Sequence, residues 1–154
     1  MRRVIHTTMA IVAVAIVWIY WIGPQLETGR KDQQAASSLP GFVGQTTNWA
    51  GRTAGVHLAR TDRAGVLQLA ELQLQRLQLL QLVDCDLLDE DLEVLGRLGQ
   101  LVELNLQGTP ITDAGLKHLV PMRQLRRVWL RDTQVTFEGL KWLEKARPNL
   151  QIKD

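Results

Sequence analysis

A single cysteine, Cys85, is all that this chain of 154 residues contains. One thiol excludes an internal disulfide and any cysteine-built zinc cluster, so the fold cannot depend on oxidation. Charge of one sign is also lacking, the formal net charge being +2. The imbalance sits at the front, where Arg2, Arg3, Arg30 and Lys31 face only Glu27 and Asp32. From Arg52 onward fourteen basic side chains stand against fourteen acidic ones. A nucleic-acid binder needs a net basic footprint, and this neutral body does not provide one. Catalytic signatures are missing as well. There is no nucleophile elbow, phosphate-binding loop or H-E-x-x-H, and His6, His57 and His118 stand in unlike settings. The acidic run DCDLLDEDLE (84–93) lacks the glycine and the ligand spacing of a calcium-binding loop. The expectation is a protein that binds and does not catalyse, with no metal and no cofactor.

What is present begins with an apolar block. Residues 4–22 read VIHTTMAIVAVAIVWIYWI, 19 positions without a charge unless His6 carries one. As a helix rising 1.5 Å per residue they would reach roughly 28 Å, close to the hydrocarbon thickness of a bilayer. Arg2 and Arg3 precede the block, Trp18, Tyr20 and Trp21 crowd its far end, and Gly23-Pro24 stops it. The rival reading is a cleaved signal peptide, but no small-x-small site follows the run. A transmembrane signal-anchor over 4–22 is therefore expected, giving a single-pass membrane protein. The position of Arg2 and Arg3 favours a cytoplasmic N-terminus and an extracytoplasmic body. Residues 23–52, rich in Gln, Ser, Ala, Gly and Thr, read as a flexible linker. Two readings of Phe42, Val43 and Trp49 within it stand side by side: disorder, or a partial cap on the folded domain.

The back of the chain repeats. Residues 101–119, LVELNLQGTPITDAGLKHL, lie over residues 125–143, LRRVWLRDTQVTFEGLKWL, at an offset of 24. The same step back finds Leu77, Leu80, Leu82, Cys85, Leu87, Leu92, Leu95 and Leu98. One more step back the frame frays: Val56, Leu58 and Thr61 fit, but Arg63 and Gln68 do not, so 66–77 reads as an irregular helix leading into the first good unit. Alternating leucines at the fourth and sixth positions suit a short strand with one buried face. Leu116, Leu119 and Met122 follow at helical spacing, opened by Thr112 or Asp113 as cap and closed by Pro121.

This pattern resembles the leucine-rich repeat, L-x-x-L-x-L-x-x-[CNT]-x-[LI]. The segment TPITDAGLKHL is similar to the bacterial T-x-[IV]-T-D-x-G-L variety, close to the cysteine-containing, ribonuclease-inhibitor-like subfamily. The resemblance covers residues 53–152 and is strongest over 77–147. It implies an α/β fold: a short right-handed solenoid with parallel strands on a concave wall and helices on the convex one, after the transmembrane helix. Three departures mark the pattern: Leu88 replaces a Thr, Asp91 replaces the Gly, and Phe137 replaces the Asp. The ninth-position column of Thr61, Cys85, Thr109 and Thr133 reads as small structural side chains at the turn after each strand.

In this frame the strands present columns of side chains: Gly55, Leu79, Glu103 and Arg127; His57, Gln81, Asn105 and Trp129; Ala59, Val83, Gln107 and Arg131; and Arg60, Asp84, Gly108 and Asp132. Trp129 between Arg127 and Arg131 is the chemistry of an interface anchor, against the alternative that it packs on a neighbouring arginine stem or a cap. The expected partner site is Glu103, Asn105, Gln107, Arg127, Trp129 and Arg131, holding a protein or peptide. Charge also separates along the chain, with seven acidic residues and Arg97 over 84–103, and five basic and no acidic over 117–131. Read along a solenoid, this gives one negative and one positive end, so a homo-oligomer is a further possibility. The alternatives are then a self-associating structural subunit, or a non-catalytic accessory subunit of a membrane complex.

Overall fold

The computed structural model describes residues 31, 33–47, 53–72 and 77–154. The expected anchor at 4–22 and Trp49 lie outside the described residues. Among the described residues, no helix is long and apolar enough to cross a membrane.

Period-2 alternation in each unit yields a strand, and six strands form one sheet in chain order. They are β1 (Phe42–Thr47), β2 (Thr53–Ala59), β3 (Leu79–Val83), β4 (Glu103–Asn105), β5 (Arg127–Trp129) and β6 (Gln151–Lys153). Among the described residues four helices follow β2: α1 (Arg63–Glu71), α2 (Asp91–Leu95), α3 (Asp113–Leu116) and α4 (Phe137–Ala146). From β2 to β6 every pairing is parallel, and the register runs Gly55, Leu79, Glu103, Arg127, Gln151. Each step is the 24 residues found in the sequence, so the repeat frame is the hydrogen-bonding frame. No unit can bury its apolar face alone, and stacking its neighbours makes one core.

That core is a set of leucine columns between sheet and helices. Leu80, Leu104 and Val128 are fully buried, as are Leu82 and Leu106, and Leu130 nearly so. Leu77, Leu101 and Leu125 lie beneath the entry to each strand, and Leu92, Leu95, Leu116, Leu119 and Leu143 come down from the helices. Each such side chain contributes roughly 1.5–3 kcal/mol through removal of apolar surface from water.

The T-D-x-G-L run has a mechanical reason. Asp89 accepts hydrogen bonds from the Thr112 backbone N–H (2.8 Å) and the Thr112 hydroxyl (2.6 Å). One repeat on, Asp113 does the same for Thr136 (2.8 and 2.7 Å). Thr112 and Thr136 are the N-caps of α3 and α4, their hydroxyls accepting from Ala114 and Gly139 N–H at 3.2 Å. Each aspartate thus clasps the cap of the next repeat. It lies against that repeat's glycine: a Cβ on Gly115 would stand 2.5 Å from Asp89 Oδ1, and one on Gly139 would overlap Asp113.

Two of the three departures follow from this clasp. The unit before Leu88 has Gly65, not aspartate, at the clasping position. With no incoming carboxylate, Leu88 need not be a threonine and Asp91 need not be a glycine. Asp91 instead accepts from its own Leu88 N–H (2.9 Å) and from Arg63 Nε (2.9 Å), which ties α2 to α1 by another route. Phe137 takes the aspartate position in the unit of α4 and is 65% exposed, with Lys141 Nζ 4.4 Å from its ring centroid.

Two boundaries differ from the sequence reading. Residues 33–37 are helical and 42–47 form β1, although both fall in the stretch expected to be linker (23–52). β1 pairs antiparallel with β2, Ala36 and Leu39 are buried in the core, and Phe42 packs on it. Phe42 therefore caps the solenoid, whereas Val43 is 68% exposed and does not. At the other end β6 runs to Lys153, one residue beyond the expected boundary at 152, and Ile152 packs on the core. Arg147 closes this end. Its Nη1 donates to the carbonyls of Leu119 (3.1 Å), Val120 (2.9 Å) and Met122 (3.0 Å), and its Nη2 to Leu125 (2.9 Å).

Candidate functional site

In β3, β4 and β5 the residues flanking the buried leucine or valine turn to the open face of the sheet, away from the core. β3 and β4 alternate partly exposed and buried positions as this requires. The parallel register then stacks side chains of successive repeats about 4.8 Å apart. Glu103 lies beside Arg127, with Gln151 beyond, and Asn105 beside Trp129, with Lys153 beyond. Four of the six expected site residues, Glu103, Asn105, Arg127 and Trp129, are thus adjacent on this face.

The geometry adds detail that the columns lacked. Arg127 Nη2 donates to Glu103 Oε1 across the two strands, so this arginine comes to a partner already paired. Both groups are partly exposed, and such a pair contributes little to stability. Asn105 Oδ1 accepts from the Gln107 N–H (2.9 Å), which fixes its side chain at the strand's exit. Trp129 is half-buried and Arg131 is exposed, with its Nε 3.6 Å from the equally exposed Asp132 carboxylate. Gln107 and Arg131 follow the ends of their strands, at the margin of the open face. At the far end of the middle column, His57 pairs with Gly44 of β1, and its Nε2 is shut off from solvent with no hydrogen-bond partner among the described residues.

Two columns are structural. Arg60, Asp84, Gly108 and Asp132 all have positive φ (52°, 53°, 70° and 55°), so the fourth column is a left-handed turn repeated every 24 residues. At Gly108 a Cβ would overlap the Asp84 carboxylate, so a side chain there would have to displace it. The ninth-position column is buried at Thr61, Cys85 and Thr109 and partly buried at Thr133. Thr109 and Thr133 hydroxyls donate to the Leu106 and Leu130 carbonyls (2.5 and 2.6 Å), while the Thr61 hydroxyl has no partner among the described residues. Cys85 fills the same slot, its Sγ 3.5 Å from the Val83 carbonyl. Burial pushes its thiol above the ordinary value of 9.0, which keeps it protonated and poorly nucleophilic.

Sequence reasoning missed Gln151 and Lys153. Their signal was the period itself, since one further step of 24 from Arg127 and Trp129 lands on them. Trp142 is 48% exposed on the helix side and, with Asp113, Ala114, Lys117, Glu138 and Gly139, lines a groove of about 520 Å³ between α3 and α4.

Charge is distributed differently from the sequence expectation of a negative and a positive end. All solenoid strands run one way and all helices return the other, so turns of one kind share an edge. The strand-to-helix turns (60–62, 84–90, 106–112 and 130–136) carry Asp62, Asp84, Asp86, Asp89, Glu90 and Asp132 against Arg60 and Arg131. The helix-to-strand turns (96–102, 117–126 and 147–150) carry Arg97, Lys117, Arg123, Arg126 and Arg147 and no acidic residue. The separation therefore runs largely across the solenoid, from an acidic edge to a basic one. Acidic groups gather where helices begin, as helix dipoles favour, whereas the basic ones lie in the turns beyond, α1, α2 and α3 carrying no basic residue in the last turn.

No protein-family model matches the chain, and no curated protein does. Among solved structures it is similar to an internalin C2 from Listeria monocytogenes, with a TM-score of 0.45 and 17% identity over 82% of this chain. The chain spans 62% of that structure's length. The repeat reading here rests on the chain's own 24-residue register and leucine columns.

Proposed function

We propose that the chain is a membrane-anchored interaction module that holds a protein or peptide on the open, concave wall of its solenoid. The observation that carries this reading is the stacking of Trp129 between Asn105 and Lys153, with Arg127 and Arg131 beside it. A half-buried tryptophan among guanidinium groups offers a partner apolar area together with several hydrogen-bond donors, the combination that dominates interface energies. The polar groups around it are Asn105, Gln107, Glu103, Arg127, Arg131 and Lys153, which suit recognition better than chemistry. The module works by binding, without a catalytic step, metal or cofactor of its own.

Anchoring is the second part of the proposal. Residues 4–22 have the length and flanks of a bilayer-spanning helix, and the arginines before them favour a cytoplasmic N-terminus and an extracytoplasmic repeat domain. The experiment is photo-crosslinking of the full chain in its native membrane from a benzophenone side chain at position 129, repeated in a chain carrying Trp129→Ala and Arg131→Ala with the crosslinker at position 105. A partner captured from 129 and lost in the double variant is expected. A partner retained unchanged by the double variant contradicts the face assignment.

A further inference from the structure

The two charged edges complement each other, and most of their charges are not used within the fold. On the acidic edge Asp89 is taken up by Thr112 and Asp62 by the Gly65 N–H. Asp84, Asp86 and Glu90 are exposed and make no ion pair or side-chain hydrogen bond among the described residues. On the basic edge Arg147 is consumed by four carbonyls. Arg97, Lys117, Arg123 and Arg126 are exposed and likewise unengaged. Helix-dipole preference accounts for the sign of the acidic edge, but not for the basic one, nor for three acidic and four basic side chains left without partners on opposite sides of one neutral body.

From this complementarity we infer that the partner of each edge is a second copy of this chain, the basic edge of one molecule lying against the acidic edge of the next. Such a contact is heterologous, because each molecule uses two different surfaces. It does not close a dimer, and it propagates into rows. In a row, the strand positions of the open face, Glu103, Asn105, Arg127 and Trp129, stay free, and the variants below leave untouched Gln107 and Arg131, which the acidic edge shares with the site proposed above. Single exposed ion pairs contribute little, and only a set of them along an edge, repeated in each contact, steers and holds two copies.

The test uses the full chain in neutral detergent, with mass followed by sedimentation across protein concentration at low salt and at about 0.5 M salt, where surface charges are screened beyond a few ångströms. The expected result is association at low salt that weakens about tenfold or more in high salt. One variant reverses the basic edge (Arg123→Glu with Arg126→Glu), and a second reverses the acidic edge (Asp86→Arg with Glu90→Arg). Each alone should lose the salt-sensitive association. The two mixed should regain it, since the intact acidic edge of the first variant then meets the intact basic edge of the second and the two reversed edges complement each other in turn, and regained association also shows that both variants are folded. A wild-type mass that does not respond to salt overturns the inference. So does association that survives either reversal, or a mixture of the two variants that does not associate.

Discussion

At the residue scale, Gly139 is where a helix-favouring change should weaken the protein. Alanine in a helix is ordinarily about 1 kcal/mol better than glycine. Here a Cβ would meet the Asp113 carboxylate that holds Thr136. Gly139→Ala is therefore expected to destabilise the chain by about 1–3 kcal/mol in denaturant unfolding, the ordinary cost of overpacking. In a background of Asp113→Ala the obstacle is gone, and the same substitution should be neutral or stabilising. Equal effects in the two backgrounds would show that aspartate and glycine are not coupled. The identity of these residues was legible in the sequence, as were the three departures at Leu88, Asp91 and Phe137. Their connection was not. The clasp joins side chains 23 residues apart, and no local pattern shows that an aspartate at one position dictates a glycine in the next unit.

At the scale of elements, the strands β3 to β5 and the helices that follow them were readable because leucine columns fix both periods, two in the strand and near 3.6 in the helix. β1 was not, because FVGQTT lacks sustained alternation, the Pro40-Gly41 turn before it sits in a stretch with linker composition, and its pairing with β2 is antiparallel and outside the 24-residue frame. β6 is short, with only Leu150 and Ile152 to continue the pattern. The last unit is held instead by Arg147, whose fork gathers four carbonyls of the turn after α3. Removing it leaves the Val120 and Leu125 carbonyls without a donor, while those of Leu119 and Met122 keep the Met122 and Leu125 N–H groups. Arg147→Ala should cost roughly 2–3 kcal/mol, the range for hydrogen bonds to a charged group. Hydrogen exchange should show the loss concentrated in α4 and β6. Lysine should restore little, since one ammonium cannot reach four carbonyls as a planar guanidinium does. Uniform loosening of all repeats, or full rescue by lysine, would place the cap elsewhere.

At the scale of the molecule, one register does three things. It stacks leucines into a single core, aligns Trp129 with Asn105 and Lys153 on the open face, and gathers turns of opposite charge onto opposite edges. The charge pattern was visible in the sequence only as acidic and basic stretches, since its direction depends on which turns share an edge. The open face was legible as columns, with the fourth turning out to be a left-handed turn and the first two gaining Gln151 and Lys153. The central claim is that this face is where a partner sits. It is tested most directly by hydroxyl-radical footprinting of the full chain, once in its native membrane and once purified away from other proteins. Trp129 should be oxidised readily in the purified chain and protected in the membrane, while Trp142 on the helix side keeps its reactivity in both. Equal oxidation of Trp129 in the two samples, or protection of Trp142 in its place, would contradict the account.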